Sequence, residues 1–203
     1  GSDVCSSDLA TQEGGGVFIY NSDPSFVNVT ISGNLSSTSE GDGIFIKNNS
    51  SPNLVNTILW GNASNEIEFA SVDDSSSITI SYSNIEGGQD SIVTNDNGTV
   101  TWGDGNVDID PRFVDEENDD YHLLASSMLI NGGHPDSTDS DGSRADIGAY
   151  PSLNSYSGPT WYITEGGNDT TATGASDDPF RSIPAGINFS SDSASVTFTA
   201  GTY

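Results

Sequence analysis

Short apolar runs recur along this chain, each broken by a turn rich in Gly, Asn, Asp, Ser and Pro. One string occurs twice, Gly16-Val-Phe-Ile19 through Pro24 to Ser32-Gly-Asn34, then Gly43-Ile-Phe-Ile46 through Pro52 to Trp60-Gly-Asn62. A degenerate third copy runs from Glu66-Ile-Glu-Phe69 through Ile78-Thr-Ile80 to Glu86-Gly-Gly88. The closing Gly33, Gly61 and Gly87 recur at roughly 28 and 26 residues, inside the window of solenoid repeats. Ile78-Thr-Ile-Ser-Tyr82 alternates with period two, as a strand with one buried face does. The density of Gly, Asn, Ser and β-branched residues disfavours helix. The pattern predicts an all-β solenoid of coiled parallel strands over residues 13–109, with polar corners between the strands. Asn28, Asn56 and Asn84 recur at about the repeat spacing. They fit either an internal ladder of side-chain amides or solvated turn positions.

Composition sharpens this picture. Apolar residues make up only 33% of the chain, which a solenoid tolerates because its core is a narrow column. Thirty acidic residues against four basic ones give a net charge of −26. Nucleic acid is therefore excluded as a partner, since phosphate binding needs a basic stripe. An anionic polysaccharide would be repelled unless divalent cations bridged the two. No apolar run reaches the length needed to span a bilayer. Residues 1–12 contain Asp3-Val-Cys-Ser-Ser-Asp-Leu9, which reads as a non-native tail derived from a sequencing adapter, and they are set aside from the fold. Without Cys5 the remainder has no cysteine, hence no disulfide, thiolate metal site or cysteine nucleophile. Both ends read as cut, as in a fragment of a longer protein.

The coils resemble the right-handed parallel β-helix repeats of the pectate-lyase-like superfamily. Asp110-Pro-Arg-Phe-Val114, Asp120-Tyr-His-Leu123, Leu129-Ile-Asn-Gly-Gly133 and Asp139-Ser-Asp-Gly-Ser143 with Asp146-Ile-Gly-Ala-Tyr150 are similar to the closing segment of bacterial surface β-helix proteins, the choice-of-anchor type. The Pro and Cys that such segments carry near Met128 to Gly133 are missing, which removes the implied disulfide. Residues 110–150 are thus expected to close the first β-helix, and 151–159 to form a linker. Trp161-Tyr-Ile-Thr164, Pro179-Phe-Arg-Ser-Ile-Pro-Ala-Gly-Ile187 and the strand-like 196–199 resemble the opening of a second β-helix, truncated within 160–203. There the resemblance implies a short capping helix. Phe180, Ile183 and Ile187 have the spacing of one helix face, shortened by Pro184 and Gly186. A single coil cannot bury its apolar face, so this last part is expected to be marginally ordered unless something covers it.

Candidate chemistry is sparse. Asp136, Asp139, Asp141 and Asp146 surround Gly142 and place several hard oxygens on one loop, as a calcium ion requires. The same pattern suits a surface turn whose carboxylates cap backbone amides, and the Glu that would complete an EF-hand loop is absent. Asp169, Asp177 and Asp178 form a second acidic loop, while Asp104, Asp108 and Asp110 fit an edge-blunting strand. Lys47 is the one base in the coils and is expected to face solvent; His122 and His134 are expected to be structural. Glu66, Glu68 and Glu86 could supply the two carboxylates of glycosidic chemistry, although so acidic a chain makes chance pairs. Trp60, Tyr82 and Trp102 are candidate sugar contacts. Of these, Trp60 and Tyr82 fit one aromatic flank, the rival role being packing of the column. The expectation is a secreted or cell-surface β-helix scaffold, non-catalytic in this piece, adhesin-like or contacting a polysaccharide or cell-surface glycan. The competing expectation is a fragment of a polysaccharide lyase or glycoside hydrolase whose catalytic coils lie elsewhere.

Overall fold

The computed structural model describes residues 3–11, 14–38, 40–71, 75–190 and 194–201. The chain winds as a column of stacked coils. Strands β1 (Asp3–Ser6) and β2 (Leu9–Ala10) come first. One coil then holds β3 (Val17–Tyr20), β4 (Ser25–Val27), β5 (Val29–Ser32) and β6 (Leu35–Ser36). The next holds β7 (Ile44–Lys47), β8 (Asn53–Val55) and β9 (Ile58–Trp60), followed by β10 (Ile67–Phe69), β11 (Ser77–Ser81) and β12 (Asn84–Ile85), then β13 (Thr99–Trp102). Each strand pairs in parallel with its counterpart one coil away, giving sheets β3-β7-β10, β4-β8-β11-β13 and β1-β5-β9-β12.

Alternation along each strand explains the column. On β7, Ile44 and Ile46 turn inward and Phe45 outward; on β11, Ile78 and Ile80 turn inward. Ile31, Leu54, Leu59, Ile67, Phe69 and Ile85 complete this apolar axis and are fully buried. Each such side chain stabilises the fold by about 1.5–3 kcal/mol on burial. Asp3–Ser6, expected from the sequence to lie outside the fold, pair in register with Val29–Ser32, and half-buried Cys5 packs on the column.

Residues 110–150 lie along the outer flank of the β1-β5-β9-β12 sheet rather than across the end of the column. They begin with the antiparallel pair β14 (Phe113–Asp115) and β15 (Asp120–Leu123). Leu123, Leu129, Ile130 and Ile147 bury Ile58 and pack on Trp60, so this sheet is covered on both faces. The Gly148 N–H donates to the Asn56 carbonyl at 2.8 Å, and the Ala149 N–H to Thr30 Oγ1 at 3.1 Å. Gly148 has a φ of 116°, which side chains rarely adopt, and a Cβ there would stand 2.7 Å from Ile58 Cδ1, so the approach favours glycine. At the far end Ser7 Oγ donates to Asp119 Oδ1 at 2.9 Å. The segment therefore reaches from the last coil back to the first.

The remaining residues form a small unit with β16 (Thr160–Ile163), α1 (Ile183–Asn188) and β17 (Ser195–Phe198), the two strands pairing in parallel. Its core is Trp161, Ile163, Phe180 and Ala185, with Phe189 and Tyr156 against them. The helix exists, but its expected face does not. Ala185 and Gly186 point inward, whereas Ile183 and Ile187 are exposed, and Phe180 is buried ahead of the helix. The reason is steric: the Gly186 Cβ position lies 2.8 Å from Ile163 Cδ1, so the helix sits on its smallest residues. The unit is covered by residues 110–150. Asn188 Nδ2 donates to the Ala125 and Ser127 carbonyls at 2.8 and 2.7 Å, and the Ala125 N–H to the Asp169 carbonyl at 2.7 Å. Among the described residues no helix is long and apolar enough to cross a membrane.

Candidate functional site

The three aromatic residues expected as sugar contacts are not brought together. Trp60 ends β9 and is half-buried under residues 110–150. Tyr82 follows β11 on a different sheet, with His134 edge-on at 4.8 Å and the Arg144 guanidinium 5.8 Å from its ring centre. Trp102 pairs in register with inward-facing Ile80 and packs on the column. The expected flank of Trp60 and Tyr82 therefore does not form, because the two residues end strands of different sheets.

The acidic turn spends its carboxylates on its own backbone. Asp141 Oδ1 accepts the Ser143 N–H and hydroxyl at 3.0 and 2.6 Å, which holds its carboxyl below the usual range. Asp139 Oδ2 accepts the Asp146 N–H at 3.0 Å, and burial raises the Asp139 carboxyl. Asp146 is buried, accepts the Asn131 and Ser152 N–H groups at 2.7 and 2.6 Å, and is pushed up to about 6, chiefly by that burial. Asp136 lies outside this set, its N–H donating to His134 Nδ1 at 3.2 Å. Among the described residues no three His, Cys, Asp or Glu side chains converge as a metal-holding group.

A groove of about 670 Å³ runs between β15, residues 151–155 and residues 169–173. Asp120, His122, Asp141 and Asp169 line it together with the hydroxyls of Ser152, Ser155, Thr170 and Thr171. His122 Nδ1 meets Asp120 Oδ1 at 2.7 Å, and that bond holds the Asp120 carboxyl below its ordinary range. The His122 imidazole lies flat against the Tyr150 ring, 4.3 Å between centroids and 13° between planes. Asp169 Oδ1 accepts the Arg181 and Ser182 N–H groups at 2.9 and 3.2 Å, which fixes the groove wall to the start of α1. His122, expected from the sequence to be structural, is exposed and in the groove; Asp177 is not part of it.

Between coils the corners are tied by side-chain amides. Asn56 Nδ2 donates to Asn28 Oδ1 at 2.9 Å, and both residues adopt left-handed backbone, with φ of 51° and 54°. Stacked parallel strands with such amide rungs are joined by the family comparison: the model of the right-handed β-helix region matches residues 2–108. The chain belongs to the right-handed β-helix family. No curated protein and no solved structure matches it.

Within the β-helix, Asn84 is not the next rung. Register places Asn84 beside Ile58, where its amide pairs with the Ile109 backbone, and gives the Asn28 and Asn56 position to Tyr82. A second amide pair, Asn34 and Asn62, escapes the sequence reading: Asn34 Nδ2 donates to Asn62 Oδ1 at 3.0 Å. Its signal is present, since these residues close the doubled Gly-Asn string. The outward aromatic group of Phe18, Tyr20 and Phe45 escapes it too, with Tyr20 and Phe45 centroids 6.2 and 6.0 Å from that of Phe18. Period-two alternation around Ile19 and Ile46 is the signal that would find it. Of the three glutamates, Glu66 and Glu86 share a small pocket, while Glu68 turns to the Gly41 N–H at 2.9 Å and to Asn65 and Asn95.

Proposed function

We propose that this β-helix is a secreted or surface-displayed scaffold that contacts a neutral glycan in the groove beside β15. The single observation carrying this reading is the His122 imidazole in a groove lined by Asp, Ser and Thr residues, its ring backed flat by that of Tyr150. An aromatic plane offers its face to the C–H side of a sugar ring, and the surrounding acceptors and donors suit its hydroxyls. The charge of −26 favours neutral over acidic chains. Residues from three separate segments converge there, which a mere corner of the column would not require.

The test is affinity electrophoresis and calorimetry against neutral and uronate-rich polysaccharides. Retardation by a neutral glycan is expected, weakened about tenfold or more in Tyr150→Ala and His122→Ala, as loss of one stacked ring of roughly 1–2 kcal/mol implies. A Phe18→Ser, Tyr20→Ser variant should bind as the parent does. Retention of binding in the groove variants with loss in the strand variant would move the site to the outward aromatic group. No binding to any neutral glycan would remove the proposal.

A further inference from the structure

Two carboxyl side chains from successive corners meet in a pocket of about 270 Å³ that no basic side chain lines. Glu66 directly precedes β10 and is buried. Its Oε1 accepts the Asn62 N–H at 3.1 Å and its Oε2 accepts Asn62 Nδ2 at 2.5 Å. Glu86 follows β12 one coil on; its Oε2 accepts the Gly61 N–H at 2.7 Å, and it lines the same pocket as Glu66. Behind Glu66 the bonds continue from corner to corner. Asn62 Oδ1 accepts both the Asn34 N–H and Asn34 Nδ2 at 3.0 Å, and Asn34 Oδ1 accepts the Asp8 N–H at 2.9 Å. One hydrogen-bonded file thus runs from Asp8 to Glu66 along an edge of the column, with Glu86 bonded beside it at Gly61.

We propose that this file is a proton-controlled latch, in which one proton held between Glu66 and Glu86 keeps the 61–66 corner shut and its loss frees that corner to open. The charge set against Glu66 is that of Glu86, and the neighbouring carboxylates turn to backbone amides instead. Asp42 comes from the preceding coil, its two oxygens accepting the Ser36 and Ser64 N–H groups at 2.6 Å, and Glu68 sits two residues along, turned to Gly41. No guanidinium or ammonium lines the pocket to neutralise a second charge. Burial first, and the Glu86 charge with it, outweigh the two Asn62 donors and push Glu66 up from 4.5 to about 8. With the corner open the carboxyl is hydrated and returns to its ordinary value. Between those two pH values, opening therefore releases a proton, and the open population grows by about tenfold per pH unit. Below the window both forms are protonated and above it both are ionised, so the dependence levels off at each end.

Amide hydrogen exchange of the full chain from pH 5 to 9, corrected for intrinsic rates, tests the latch. Protection of the Gly61 and Asn62 amides should fall progressively to about pH 8 and then level, while that of Leu54 in the column changes little. Glu66→Gln keeps a donor toward Glu86 and an acceptor toward Asn62 but cannot titrate, so its protection should not change with pH. Glu86→Gln removes the opposing charge and should shift the levelling point to lower pH. Parent protection that does not fall, or an equal fall in Glu66→Gln, would overturn the latch. Should Glu66→Gln not fold, an unmoved levelling point in Glu86→Gln would do the same.

Discussion

Asn56 shows how much one side chain can carry at a corner. Its Nδ2 donates to Asn28, its Oδ1 accepts the His134 N–H at 2.7 Å, its carbonyl accepts from Gly148, and its backbone is left-handed. Asparagine tolerates that conformation better than other side chains and brings one donor and one acceptor. Asn56→Asp keeps the shape but loses the donor and buries a charge, and should cost about 1–3 kcal/mol in urea denaturation. Asn28→Asp sits at a half-buried position and should cost less. Asn28 and Asn56 are legible in the sequence because their spacing equals that of the strings. Asn84 is misplaced by the same count because the third coil is shorter, and register follows the strands, not a fixed interval along the chain. Tyr82, which inherits the corner, carries its left-handed backbone with a bulky ring, packed by Gly105 on one side and His134 on another.

At the scale of elements the helix α1 is the clearest lesson. A helical spacing of Phe180, Ile183 and Ile187 names the right element and the wrong face. Apolar periodicity finds a face only when the helix packs through its large residues, and here Ile163 and Val196 press on Gly186 instead. Gly186→Ala should destabilise the 160–201 unit by about 1–3 kcal/mol, since the added methyl overlaps Ile163. Ile187→Ser, at an exposed site, should shift stability by no more than about 0.5 kcal/mol. Thermal melts monitored by Trp161 fluorescence separate the two. The strands are far more legible than the helix, because strands such as β7 and β11 present an apolar side chain at every second position and the repeat doubles the signal.

For the whole molecule, the sequence exposes what recurs and hides what happens once. The column is readable from its beat of Gly, aromatic and Pro positions. The groove is not, for it is assembled from residues near 120, 152 and 170 that share no period. The placement of residues 110–150 is equally hidden, since the bond from Ala149 to Thr30 spans 119 residues and leaves no periodic trace. That placement has a consequence for how the chain comes apart. Columns of repeats usually lose their end coils one by one, because each coil is held by its neighbours alone. Here a strap bonded to Ser7, Thr30 and Asn56 ties the early coils to the segment beyond the last one. Fraying of the first coil must break the strap as well, so circular dichroism and tryptophan fluorescence should report one coincident, steep urea transition. Leu129→Ala with Ile147→Ala, which loosens the strap while sparing the column, should separate the two probes and lower the apparent slope. A chain that reads as a string of independent turns would then be, in its unfolding, a single cooperative body.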